Sequence, residues 1–220
     1  MISTVVPAFK YLIEQRQLTE ETIRKFNLGY VSQIGDIYIG AEFTDVIPQL
    51  DKRFYNSSLF PIFDLYGKCI AVSVRPLGPT KTKYINTEYE KKDHLYGLSV
   101  TWSDCLKAQE VYVVEGNISL LQMHQAGITN CVAMLGSRLS PTQVCLLNRF
   151  VKKIIMVPDS DKAGRKLIEK MQDEIIPTKL YDSDIKFTYI ELPAGKDPDD
   201  YFREHTKEDF LSLAEMELNI

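Results

Sequence analysis

Residues 111–128 read VYVVEGNISLLQMHQAGI. A run of strand-forming residues stops at Glu115-Gly116 and gives way to helical spacing, so a carboxylate stands where a buried strand ends. The same grammar recurs downstream. EVYVVE, NCVAML, KIIMVPD and IKFTYIEL are short β-branched runs, and ISLLQMHQAG, SPTQVCLLNRF and KAGRKLIEKMQDEI fill the intervals with helical pattern. A β-α-β-α order predicts a parallel sheet with helices on its faces. Reactive groups in such a sheet belong at the C-terminal strand ends, where loops diverge and helix N-termini begin. Three acidic sites fall there: Glu115, then Asp159 and Asp161 of VPDSDKAG, then Asp197 and Asp199 of GKDPDDYF. Carboxylates gathered along one edge repel one another unless cations lie between them, and hard oxygen donors suit Mg2+ or Mn2+. Singly, DSD reads as a helix-capping loop and DPDD as a solvated turn; their joint order at strand ends points to a metal-dependent site.

Composition sets the bounds. The chain has 220 residues, 45% of them hydrophobic, enough for one or two ordinary cores. No run of 18 apolar residues exists and the N-terminus lacks the order of a secretory signal, so no membrane association is expected and the expected location is the cytoplasm. Cys69, Cys105, Cys131 and Cys145 are widely spaced, without CxxC or paired histidines, which predicts reduced, mostly buried thiols and no zinc in this chain. The net charge is −4, yet residues 52–92 carry eight bases against three acids. A basic first half joined to an acid-rich second half suits a site where metal ions sit between carboxylates and phosphates.

Ahead of the β-α-β-α region, FKYLIEQRQLTEETIRKFN (residues 9–27) reads as two short helices, with Thr19 capping the second and Glu20 and Glu21 in its first turn. GDIYIGAEF and SLFPIFDLYGKCIAVSVRPLG read as strands, the latter two runs joined at LYGK. The expected division is a mixed α/β subdomain over residues 1–108, the α/β domain over 109–205, and a helical tail over 206–220 containing one amphipathic helix.

The succession E-G, MLGS, D-S-D-K-A-G and D-P-D is similar to the Toprim domain of primases, topoisomerases and some nucleases. The flanking YLIEQRQLTEETIRKFNLGYV, RFYNSSLFPIFDLYGKCIAVSVRPLG and TKYINTEYEKKDHLYGL resemble the RNA polymerase core of DnaG-type replicative primases, from about residue 10 to 210. This resemblance implies a Toprim domain preceded by a primase-core subdomain. It also implies metal ligation by Glu115, Asp159, Asp161, Asp197 and Asp199, with Glu115, Asp159 and Asp161 at the chemistry. Arg53, Arg75, Lys83, Tyr84 and Asn86 match positions that face nucleotide and template in the family. A further family arginine, four residues after Arg53, is Ser57 here, and Arg138 after the Gly136 turn stands in a sequence, SRLS, that departs from the family.

The implied activity is template-directed synthesis of short RNA primers from ribonucleoside triphosphates on single-stranded DNA during replication. The implied partners are a replicative helicase and a separate zinc-ribbon or helicase-associated protein, because family members carry those modules at their ends. The chain reads as a compact core from a phage-like system, the alternative being an excised domain. Two other activities fit a Toprim domain: a metal-dependent nuclease, which the KYIN and LYGL segments disfavour, and a non-catalytic nucleic-acid-binding adaptor, which the full set of acids disfavours.

Overall fold

A computed structural model describes residues 7–38, 50–178 and 184–218. Contacts divide the chain into two compact units, Met1–Tyr89 and Glu90–Ile220.

In the first unit a short helix α1 (Pro7–Phe9) widens into a π-type turn over Lys10–Gln15 and is followed by α2 (Glu20–Lys25). Thr19 caps α2 by accepting the Thr22 N–H, and Glu20 and Glu21 occupy the first turn as its dipole favours. Five strands follow: β1 (Gly29–Val31), β2 (Ile37–Tyr38), β3 (Ser57–Phe63), β4 (Cys69–Pro76) and β5 (Ile85–Asn86). They form an antiparallel sheet in the order β2-β1-β3-β4-β5. The β3–β4 hairpin turns through Asp64, whose Oδ1 accepts the N–H groups of Tyr66 and Lys68, both at 2.9 Å, and through Gly67 at φ +81°. Val31, Phe54, Leu59, Cys69, Val72 and Val74 make the core beneath. Of the expected strand GDIYIGAEF only Ile37–Tyr38 falls on a described strand; residues 39–43 lie outside the described residues.

The second unit holds the β-α-β-α succession. Parallel strands β6 (Glu110–Val114), β7 (Cys131–Ala133), β8 (Lys153–Val157) and β9 (Lys186–Ile190) pair in the order β9-β8-β6-β7. Helices α4 (Asn117–Gln125), α5 (Pro141–Leu147) and α6 (Lys162–Lys170) occupy the connections. Val111, Val113, Val114 and Ile154 to Val157 are wholly buried, as strands covered on both faces require. Helix α5 starts with a capping box, Ser140 to Gln143, and with Pro141 in its first turn.

Two expected boundaries shift. The break falls between Tyr89 and Glu90 rather than near Ala108. Residues 90–108 are built into the second unit: Tyr96 exchanges backbone hydrogen bonds with Ala133 at 2.9 and 3.0 Å, and α3 (Leu98–Ala108) buries Leu98, Thr101 and Cys105. The tail is not a single amphipathic helix. After α7 (Pro198–Tyr201), α8 spans Lys207–Leu211 with a Thr206–Asp209 capping box, and the chain then enters β10 (Glu215–Glu217), antiparallel to β9. A parallel sheet edge needs a partner for its free backbone groups, and β10 supplies it for β9. Lys153 pins β10 by pairing with Glu215 at 2.6 Å while reaching Glu110 at 3.7 Å. Wholly buried Phe210 packs edge-on against Tyr112, ring centroids 5.6 Å apart.

None of the four cysteines forms a disulfide; three are buried and Cys145 is partly exposed. Burial pushes the Cys69 thiol up to about 11 and the Cys105 thiol up to about 12, so both are neutral and unreactive at physiological pH. No helix among the described residues is long and apolar enough to cross a membrane.

Candidate metal centre and basic strand

The loops that carry the acids come together because parallel strands end on the same edge. Val114 of β6 lies beside Val157 of β8, so the residues just beyond them are neighbours. Glu115 Oε1 accepts the Asp159 N–H at 3.3 Å. Asp161 caps α6, its Oδ1 accepting from Ala163 N at 2.7 Å and Gly164 N at 2.9 Å. Gly164 is fixed by sterics, since a Cβ there would stand 1.9 Å from the Asp159 carbonyl oxygen. Only glycine lets the first turn of α6 lie directly on the loop that carries the acids. That loop is clasped in turn to the one after β9: Ser160 N donates to Lys196 O at 3.0 Å, and Lys196 N donates to Ser160 Oγ at 2.7 Å.

Beyond the clasp, Asp197 caps α7 by accepting the Asp200 N–H at 2.7 Å, with Pro198 in the first turn. Asp199 is only 3% exposed. Its Oδ1 accepts from Arg203 Nη2 at 2.7 Å, Arg203 Nε at 3.2 Å and Gln122 Nε2 at 3.3 Å. Ligand oxygens of Asp197, Asp199 and Asp200 lie within 4.8 Å of one another. This all-carboxylate set has the hardness and spacing that a divalent metal ion takes. Sequence reasoning named Asp197 and Asp199 and passed over Asp200, although the fourth letter of DPDD lies three residues after the capping Asp197 and so returns to the same end of the helix. Glu115, Asp159 and Asp161 stand outside this trio, at the ends of β6 and β8, and the carboxylate of Asp161 is engaged in capping.

The basic residues belong to the first unit. Arg75, in β4, has its guanidinium 5.5 Å from the ring centroids of both Tyr11 and Tyr84. Tyr11 also carries Arg16, whose Nε donates to the Tyr11 hydroxyl at 2.8 Å. Burial pushes the Tyr84 phenol above its ordinary value, while its hydrogen bond with Arg75 pulls the other way. Arg75 is therefore held between two rings instead of swinging on its stem. Lys83 is exposed, and Asn86 sits in β5 opposite Ser73. Arg53 is exposed and engaged by Asp51: Nε lies 3.0 Å from both carboxylate oxygens and Nη2 2.7 Å from Oδ2. The Arg53 hydrogen bonds hold the Asp51 carboxyl below its ordinary value. Ser57 is wholly buried at the start of β3 and donates to the Tyr55 carbonyl at 3.1 Å. Arg138 pairs with Glu174.

Comparison with known proteins agrees with this geometry. Residues 112–202 match the Toprim-like family model, and residues 41–101 match the N-terminal domain of the DNA primase catalytic core. The second unit thus defines a Toprim-containing protein, with acids on the C-terminal edge of a parallel sheet. A DNA primase of Clostridium acetobutylicum is 33% identical over 97% of this chain, which spans 38% of that relative's length. A structure of the DnaG catalytic core superimposes with a TM-score of 0.82 at 26% identity, covering 98% of this chain and 75% of the other. A DnaG primase catalytic domain bound to single-stranded DNA gives 0.81 at 26% identity, covering 99% and 74%. Over nearly its whole length the chain is similar to DnaG-type primase catalytic cores.

Proposed function

We propose that this chain carries out template-directed joining of ribonucleotides on single-stranded DNA, as the catalytic core of a primase. The observation that carries this reading is the gathering of acids from three parallel-strand ends onto one edge, in a chain whose relatives are DNA primases. The reaction is an in-line attack of a ribose 3′-hydroxyl on an α-phosphorus, and its transition state collects negative charge on phosphoryl and leaving oxygens. Divalent ions, when bound, supply the positive charge that stabilises those oxygens and acidifies the attacking hydroxyl. Asp197, Asp199 and Asp200 hold one such ion, and Glu115, Asp159 and Asp161 are the remaining candidate ligands. Arg75 neutralises phosphate through a fixed guanidinium fork, and Lys83 does so as a mobile point charge. Tyr84 and Asn86 flank that fork on the nucleotide or template, and Arg53 joins them once it releases Asp51.

The same reading places the chain in the cytoplasm, with a replicative helicase and a zinc-ribbon or helicase-associated protein as partners. The test is incubation of the chain with labelled ribonucleoside triphosphates, a single-stranded DNA template and Mg2+ or Mn2+. Short RNA dependent on both template and metal is expected. Template breakdown would point to a nuclease, and neither product to a binding module.

A further inference from the structure

We infer that Arg203 and Gln122 are positioning residues for the metal-binding carboxylates: together they fix Asp199 so that it meets Asp197 and Asp200 before any cation arrives. The inference rests on the metal reading given above. Asp199 is nearly inaccessible, and a buried carboxylate needs strong compensation. Two donors of different charge converge on the same oxygen, Oδ1: the Arg203 fork at 2.7 and 3.2 Å and the neutral Gln122 amide at 3.3 Å. Charge balance alone would need only the arginine. A second, uncharged donor on the same atom fixes direction, and a carboxylate held from two sides at one oxygen cannot rotate away.

The donors also come from opposite directions in the chain. Arg203 follows Asp199 by one helical turn, and its Nη1 lies 3.9 Å from Asp200 Oδ1, so one guanidinium spans two of the three clustered acids. Gln122 is 2% exposed and lies 77 residues earlier, on α4, the helix that begins just after Glu115-Gly116. The amide therefore ties the acid loop after β9 to the element launched from the end of β6. Arg203 additionally tempers repulsion among the carboxylates while no ion is present. A guanidinium also repels an incoming cation, so the sign of its effect on affinity separates positioning from competition.

Mn2+ binding to the full 220-residue chain, followed by electron paramagnetic resonance without nucleotide, tests this. Arg203→Met should weaken binding about tenfold, the usual size of an outer-shell effect, and Arg203→Lys should recover only part of it because an ammonium cannot make the two-nitrogen grip. Gln122→Leu changes no charge and should weaken binding about threefold, again an outer-shell loss. If Arg203→Met does not fold, Gln122→Leu carries the test alone. Unchanged or tighter Mn2+ binding in these variants, alongside loss of binding in Asp197→Asn, would overturn the positioning role and leave the metal site standing. Absence of Mn2+ binding by the unaltered chain, or undiminished binding by Asp197→Asn, would overturn both.

Discussion

The two units build five-stranded sheets of opposite logic. In the antiparallel sheet successive strand ends alternate between edges, so residues that meet there do so through a face: Tyr11 from the N-terminal helical segment, Arg75 from β4 and Tyr84 just ahead of β5. In the second sheet β6, β8 and β9 all run the same way, so the loops after them lie side by side, joined by the Glu115–Asp159 contact and the Ser160–Lys196 clasp. A parallel sheet converts order along the chain into adjacency in space. An antiparallel sheet does not, and its functional groupings depend on packing.

If the parallel edge holds the chemistry, the largest effects belong there. Asp159→Asn and Asp161→Asn should each abolish RNA synthesis. Asparagine caps a helix about as well as aspartate, so Asp161→Asn should melt close to the unaltered chain. Primer assays together with thermal unfolding check both halves, and synthesis near the original level in both variants would move the chemistry elsewhere. A pair of glycines sharpens the contrast in stability. Gly164→Ala drives a methyl group into the Asp159 carbonyl and should cost about 3–5 kcal/mol, whereas Gly67→Ala in the open β3–β4 turn, where only its positive φ matters, should cost about 1 kcal/mol. Equal losses in urea unfolding would mean that the α6 contact relaxes. On the antiparallel side, Arg75→Ala or Lys83→Ala should reduce kcat/KM about 10²-fold, the equivalent of about 3 kcal/mol of charge-assisted phosphate binding. Unchanged kinetics in both would make them ordinary surface charge.

The difference between the sheets also explains what could be read from the amino-acid order. The β-α-β-α succession, the acids at strand ends, the β3–β4 hairpin and the Thr19 cap all follow from local period and turn chemistry. The Arg75 stack did not follow, because Tyr11 lies 64 positions away and nothing local announces the encounter. The break at Tyr89 was hidden because residues 90–95 carry no strand or helix pattern and join the second unit through the Gln143 amide bonded to the Lys91 and His94 carbonyls, next to the backbone bonds that Tyr96 makes with Ala133. Arg203 and Gln122 look like surface and core filler in the sequence. Their roles emerge only when Asp199 proves buried.

The final strand bears on how the protein can be cut. The Toprim-like match ends at residue 202, which invites a fragment stopping there. Such a fragment would strip β10 from β9, take Phe210 from its place against Tyr112 and Tyr201, and remove the Glu215 partner of Lys153. What remained would be a hydrogen-bonding edge, open beside newly bared aromatic rings, and such an edge recruits other chains. The unit that keeps this edge covered runs past the last motif, at least through Leu218, which is itself buried.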